Sequence, residues 1–175
     1  MSCTPANVVH DHILSDPDTE GWVTFSAPST SALLTYYAIA PEVVTFQNVA
    51  TKPNQHLEIL QIEFEETAAT SGDLKKADLI VALYSGSAPS TPSSAAVNNL
   101  SATNLLGTYQ IEDTDYKYEA ATRWKATVRP NKFVRTGTSA NSSSIYAVVL
   151  ANQSVTYIAG LAFRMRLMTR VATAL

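Results

Sequence analysis

Residues 57–66 read Leu-Glu-Ile-Leu-Gln-Ile-Glu-Phe-Glu-Glu, and residues 161–169 read Leu-Ala-Phe-Arg-Met-Arg-Leu-Met-Thr. Both alternate apolar and polar side chains with a period of two, the repeat of a strand with one face on a core and the other toward water. The first stretch predicts Leu60, Ile62 and Phe64 on the core face and Gln61, Glu63 and Glu65 on the wet face. The second predicts Leu161, Phe163, Met165 and Leu167 inside, opposite Arg164 and Arg166. Two further runs, Leu-Ile-Val-Ala-Leu-Tyr at 79–84 and Ile-Tyr-Ala-Val-Val-Leu-Ala at 145–151, are apolar on both faces. They suit central strands covered on each side.

Outward from these anchors, short β-favouring runs fall near 22–26, 33–40, 43–49, 105–112, 122–129 and 155–158, separated by Ser, Thr, Asn, Pro and Gly. Helical signals are thin: 68–76 and 91–100 each allow at most a turn, without a long apolar stripe at helical spacing. Ten or so short strands in 175 residues predict one all-β domain, a sandwich or barrel, because an open sheet of that many twisted strands curls or splits in two. The boundary is drawn at Trp22. Residues 1–20 are a polar segment with two prolines and isolated apolar side chains at Val8, Val9, Ile13 and Leu14. They read as an N-terminal arm ahead of a β-sandwich spanning 21–175. Those four side chains are the expected anchors of the arm on a neighbouring chain, since a polar arm with scattered apolar residues is hard to place in the same core.

Composition removes several function classes. No stretch approaches the ~20 apolar residues of a membrane span. The first residues lack the basic start and apolar core of a signal peptide and carry Asp11, Asp16, Asp18 and Glu20 instead. The expectation is a protein made in the cytoplasm, with no membrane partner. A single cysteine, Cys3, cannot form an intrachain disulfide. The net charge of −3 is distributed unevenly: residues 1–116 hold three basic and 14 acidic residues, residues 117–175 nine basic and one acidic. Two readings stay open. The halves interleave as strands and neutralise each other internally, or they form complementary faces on neighbouring subunits. On the second reading Arg123, Lys125, Arg164 and Arg166 are the candidate interface charges. Direct nucleic-acid binding is not expected, because the basic residues are spaced out in an acidic domain.

The chemistry-bearing residues form no convincing catalytic set. His10-Asp11-His12 puts two imidazoles on one side of an extended segment, but structural zinc needs four ligands and Cys3 is the only nearby thiol. Glu63, Glu65, Glu66, Asp73 and Asp78 offer carboxylates without a Gly-containing calcium loop. His56 is the only histidine outside the arm, and no Gly-x-Ser-x-Gly elbow or phosphate-cradling loop accompanies it. Tyr109, Tyr116, Tyr118 and Trp124, near Arg123 and Lys125, could stack on sugars or bases, but sheet and interface roles are the favoured reading for such residues in strands.

Two segments carry a family resemblance. The first is Ala77-Asp78-Leu79-Ile80-Val81-Ala82-Leu83-Tyr84 with Ser-Gly-Ser-Ala-Pro after it, continuing through Ala95-Ala96-Val97 to Asn104-Leu105-Leu106-Gly107-Thr108-Tyr109. The second is Ser144 to Ala151 followed by the closing run from Leu161 to Leu167. Together they resemble the jelly-roll cement or decoration proteins of tailed bacteriophages, over roughly residues 57–169. The resemblance implies a jelly-roll-like antiparallel β-sandwich on the outer capsid surface of a virion. It implies a homotrimer that binds the major capsid protein and braces the shell, with no cofactor and no active site. It carries no site residues over. The rival reading on the same architecture is a carbohydrate- or receptor-binding module of a phage tail or head fibre, marked by exposed Tyr or Trp beside Asn or Asp. A small hydrolase built around His56 is a third, and would need a carboxylate at hydrogen-bonding distance.

Overall fold

The computed structural model describes residues 11–13, 21–26, 32–33, 38–39, 43–47, 49–50, 52–86, 103–138, 143–158 and 161–172. Thirteen strands fall within them: β1 (Asp11–Ile13), β2 (Val23–Ser26), β3 (Ala32–Leu33), β4 (Val44–Phe46), β5 (His56–Thr67), β6 (Leu79–Ser85), β7 (Leu105–Ile111), β8 (Tyr116–Ala120), β9 (Arg123–Val128), β10 (Lys132–Arg135), β11 (Ile145–Ala151), β12 (Val155–Thr156) and β13 (Ala162–Val171). The only helical turns among the described residues are two short 3₁₀ pieces, Ser71–Asp73 and Asp113–Asp115.

Strand pairing fixes the architecture. The larger sheet contains the path β2-β13-β5-β9, and the smaller runs β4-β11-β6-β7, every pair antiparallel. Counting those eight strands in chain order, one sheet is 1-8-3-6 and the other 2-7-4-5. Successive strands cross between sheets except for one hairpin, the strand order of a jelly roll. The expected all-β, jelly-roll-like sandwich is therefore what the chain forms. The larger sheet is widened by three strands, β1 on β13, β8 on β9 and β10 on β5.

The sheets close over Phe64, Phe163, Tyr157, Leu57, Ile59, Ile62, Leu79, Leu83 and Ile145, all almost fully buried. Phe64 and Phe163 are cross-strand neighbours within the larger sheet, with ring centroids 5.3 Å apart, and Tyr157 meets Phe163 edge-on at 5.0 Å. The doubly apolar strands β6 and β11 pair along their whole length. Their other face carries a second cluster of Ala82, Tyr84, Val148 and Leu150 packed with Ala38, Val43, Ile80, Leu105 and Tyr146. That is why both runs lack a polar face.

Three sequence expectations change. Leu60 is only half-buried, whereas Ile59 is fully buried. The partners of β13 step from Gln61 to Ile59, so Leu60 is the extra residue of a β-bulge. One inserted residue reverses the alternation. Leu57 and Ile59 on one side of the bulge thus share the core face with Ile62 and Phe64 on the other. Second, β8 and β10 escape the sequence pattern. Lys117, Tyr118, Glu119 and Ala120 are exposed in β8, and β10 buries only Val134. Neither strand has an apolar alternation to read. Third, Asp11–Ile13 lies in the segment expected to leave the domain, yet pairs with Met168, Thr169 and Arg170 of the same chain. β2 covers β13 only from Ala162 to Met165, so the far end of β13 has unpaired backbone groups on that edge, which β1 satisfies. The arm residues Val8, Val9 and Leu14, the stretch 91–100, and the side chain of Ile13 lie outside what is described.

Truncating Phe163 to Ala should destabilise the fold by about 3–5 kcal/mol, while Leu60→Ala should cost less than about 2 kcal/mol. Urea denaturation of the two variants checks the bulge assignment; equal losses would place Leu60 in the core after all.

Candidate functional site

The outward face of the larger sheet gathers the charges that the sequence separates. Because β5 and β13 pair antiparallel, Glu63 stands opposite Arg166, Glu65 opposite Arg164 and, beyond the bulge, Glu58 opposite Arg170. On the other flank of β5, β9 places Lys125 opposite Glu65 and Arg123 opposite Thr67. All these positions point away from the core, since the intervening Phe64, Met165 and Ala126 point into it.

Contacts follow from the register. Arg164 binds Glu65 through two parallel bonds, Nε to Oε1 at 2.8 Å and Nη2 to Oε2 at 2.7 Å, the fork geometry that matches guanidinium to carboxylate. Arg166 donates from Nε to Glu63 Oε2 at 2.7 Å. Lys125 lies 3.8 Å from Glu63 Oε1 and 2.6 Å from Glu119 Oε1. Arg123 Nε is 3.1 Å from Glu65 Oε1, an ion pair without hydrogen-bond alignment. Arg170 pairs with Glu58. Trp22 lies across the top, its ring 4.4 Å from the Arg164 guanidinium carbon and 4.7 Å from that of Arg166. Gly21, at φ 77°, makes the left-handed turn that leads into it.

The surface is therefore layered. Glu63 and Glu65 are 4% and 1% exposed, beneath arginines whose side chains remain partly in water. The expectation that these carboxylates form a wet face is overturned: cations from both flanking strands, and the indole above, remove them from solvent. All four candidate interface charges, Arg123, Lys125, Arg164 and Arg166, hold a partner within the chain. The open question of the charge asymmetry resolves the same way for these residues, acidic β5 being neutralised by basic β9 and β13.

Glu66 plays a separate part. Its position opposite Trp124 and Phe163 turns it inward, and it is 1% exposed. Its two oxygens accept the backbone N–H groups of Lys75 at 2.6 Å and Lys76 at 2.8 Å, so it tethers the loop between β5 and β6. Burial raises its pKa above the usual carboxylate range, against the lowering effect of those two bonds and of the Lys75 and Lys76 charges. Tyr116, buried and donating to the Ala77 carbonyl at 3.0 Å, is pushed well up by burial and then by the nearby Glu66 charge.

The remaining candidates do not converge. Among the described residues no three His, Cys, Asp or Glu side chains come together as a metal site. His10 lies outside the described residues, and for His12 only the backbone is described. His56 is exposed and faces Arg135 across the β5–β10 register, not a carboxylate. Tyr118 is exposed and meets Trp124 edge-on at 5.7 Å, but Lys76 Nζ sits 4.8 Å above the Trp124 ring, over a face that a sugar would use. Tyr109 lies in β7 and Tyr116 in the core, apart from that pair. No helix among the described residues is long and apolar enough to cross a membrane.

No protein-family model matches the chain, and no curated protein sequence does. Among solved structures, the coat protein of Tobacco streak virus aligns over 88% of this chain and 87% of its own, at 9% identity and a TM-score of 0.26. The unassembled VP1 pentamer of KI polyomavirus aligns over 87% and 74%, at 13% identity and a TM-score of 0.12. At these scores neither bears on what this chain does, and the jelly-roll assignment stands on the strand order above.

Two outcomes are expected. Glu65→Gln, which leaves Arg164 and Arg123 without their shared charge, should cost about 1.5–3 kcal/mol. Arg123→Ala, at the more exposed side of the same pair, should cost at most about 1 kcal/mol. Denaturant melts of both variants measure the difference. For Glu66 the sign is set by its raised pKa. The folded state holds the proton more tightly than the unfolded chain, so the contribution is full below the unfolded value and is lost as pH rises through the folded one. The wild type should lose part of its stability as pH climbs from about 4.5, and Glu66→Gln should lack that component. Melting temperatures across the range check it; identical pH profiles would contradict the assignment.

Proposed function

We propose that this chain is a non-enzymatic structural component of a virion, a cement or decoration protein that binds the major capsid protein on the outer surface of a tailed-phage shell as a homotrimer. The observation that carries this reading is the outer face of the larger sheet: a broad plane of partly exposed cations locked over buried carboxylates on a jelly-roll frame. A plane held by ion pairs that cross three adjacent strands keeps its shape on contact, so little ordering cost is added on binding. Its opposite sheet carries an apolar cluster, which leaves the charged plane as the polar docking side. The segments that resemble phage cement proteins are strands β6, β7, β11 and β13 of this frame, the sandwich itself.

Many copies acting together would brace a shell by avidity, so modest affinity per copy suffices. The arm residues Val8, Val9 and Leu14 are assigned a second contact, on a neighbouring chain, while Asp11–Ile13 stays paired with β13 of its own chain. Deleting residues 1–20 tests that assignment: the sandwich should still fold while shell occupancy falls.

The direct experiment is co-purification. The protein should travel with intact capsids at a stoichiometry near that of the major shell protein, and adding it to stripped shells should raise their thermal stability. Absence from purified particles, or shells indifferent to the added protein, would refute the reading.

A further inference from the structure

Residues 69–76 span the gap between two firm anchors. At one end the Ala68 N–H donates to the Thr122 carbonyl at 3.0 Å. At the other, the Ala77 carbonyl accepts from the Tyr116 hydroxyl at 3.0 Å, and the Asp78 carboxylate accepts the Asp113 N–H at 2.8 Å. Within the span Ala69, Thr70, Ser71, Gly72 and Lys75 are exposed, and Leu74 rests against the core. The Thr70 hydroxyl donates to the Asp73 carboxylate at 2.7 Å, a bond internal to the span. Among the described residues, the hydrogen bonds that tie the span to the rest of the chain are the two that Glu66 accepts from the Lys75 and Lys76 N–H groups. An exposed segment held by so few bonds opens on its own, short of global unfolding.

Lys76 connects this flap to a surface. Its φ of 48° lies in the left-handed region that L side chains rarely adopt. From there its Nζ stands 4.8 Å from the centre of the Trp124 ring, a cation–π contact. Trp124 in turn meets the exposed Tyr118 edge-on. One residue thus gives its N–H to a buried carboxylate and lays its ammonium over an indole. The titratable groups around Glu66 are Lys75 and Lys76 on the flap, Tyr116 on β8 and Tyr157 just after β12. Asp78 and Asp115 add negative charge near Tyr116. From β9 and β13 the register brings Trp124 and Phe163 opposite Glu66. Burial pushes both tyrosine hydroxyls up, so they stay neutral from acid to neutral pH.

We propose that residues 69–76 form a proton-gated flap over the Trp124–Tyr118 pair: a proton on Glu66 holds it shut, and ionisation of Glu66 frees it to swing Lys76 off the indole. The cause is hydration. In the closed flap Glu66 is 1% exposed. Burial disfavours its charge more than the two N–H bonds and the Lys75 and Lys76 charges favour it. Once the flap opens, water reaches the carboxyl, which then gives up its proton as an ordinary glutamate does. Opening therefore releases a proton. Rising pH favours the open state until Glu66 is ionised in the closed state as well. The flap is tightest in acid and loosest near neutrality. Nothing in this gate depends on the capsid reading.

Amide hydrogen exchange of the full chain between about pH 4 and 8 tests it, each rate being corrected for the intrinsic pH dependence of exchange. The opening constant read at the Lys75 and Lys76 amides should rise by up to about tenfold per pH unit above about 4.5 and then level off. The amide of Val81, buried on β6 between β7 and β11, should show a smaller opening constant throughout. Glu66→Gln should flatten the profile at Lys75 and Lys76; if that variant does not fold, the wild-type profile decides alone. The cover is read separately, by acrylamide quenching in a Trp22→Phe background, where Trp124 is the only indole left. Lys76→Ala should raise the quenching constant at least about twofold by removing the cation from the ring, and Lys75→Ala, at an exposed neighbour, should leave it unchanged. An opening constant that ignores pH, falls as pH rises or equals that of Val81 overturns the gate. A pH slope that persists in folded Glu66→Gln removes Glu66 as its trigger and overturns it too. Quenching unmoved by Lys76→Ala, or moved equally by Lys75→Ala, overturns the cover.

Discussion

The long antiparallel pairing of β5 with β13 is the contact on which the rest of this molecule hangs. It joins residues 57–67 to residues 162–171, nearly the whole sandwich apart in sequence, so it closes the jelly roll only when most of the chain is already placed. Every other strand of the larger sheet attaches to one of these two: β1 and β2 to β13, β9 and β10 to β5, and β8 through β9. The pair also supplies both layers that matter. Its inner face contributes Phe64, Phe163, Met165 and Leu167 to the core, and its outer face carries the Glu63–Arg166 and Glu65–Arg164 bridges.

Much of this was legible in the sequence, and the failures are instructive. Period-two alternation in β13 is read without error because no residue interrupts it: Phe163, Met165 and Leu167 are buried in turn. The same rule fails at Leu60 because a bulge leaves no mark in a run of Ile, Leu and Gln. The doubly apolar runs gave β6 and β11 correctly, including cover on both faces. β8 and β10 stayed hidden because they add to sheet edges, where an exposed strand needs no apolar repeat.

The charged face was legible only in part. Charge counting showed that acid and base were segregated along the chain, and left open whether they meet within one copy or between copies. What it could not show is depth. Glu63 and Glu65 sit in a polar phase of the repeat, and composition alone assigns such residues to water. Their burial depends on three things far apart in sequence: arginines on β13, cations on β9, and Trp22 ahead of β2. Only the register brings them together, so no local window contains the signal. Glu66 is a similar case. Three glutamates within four residues look alike in sequence, yet one faces the core and tethers the 74–76 loop while its neighbours face outward.

A buried ladder of this kind adds little net stability, because desolvating the charges offsets much of their attraction. Its effect is to specify register. Slipping β13 by one residue relative to β5 would turn Arg164 and Arg166 into the core beside Phe64 and drive Phe163 and Met165 into water. A slip by two keeps the faces correct, and apolar packing alone would discriminate weakly against it. In that arrangement, however, one of Glu63 and Glu65 loses its arginine. A carboxylate buried as deeply as these are, without its partner, costs several kcal/mol. The bulge adds a second constraint, since Glu58 meets Arg170 only when Leu60 is the residue looped out. Three charge pairs and one bulge thus select a single alignment of the two strands that close the fold. The same selection fixes where each cation stands on the outer plane. A surface meant to meet a partner by charge needs that order, because a pattern of single charges is only as specific as the strand register beneath it.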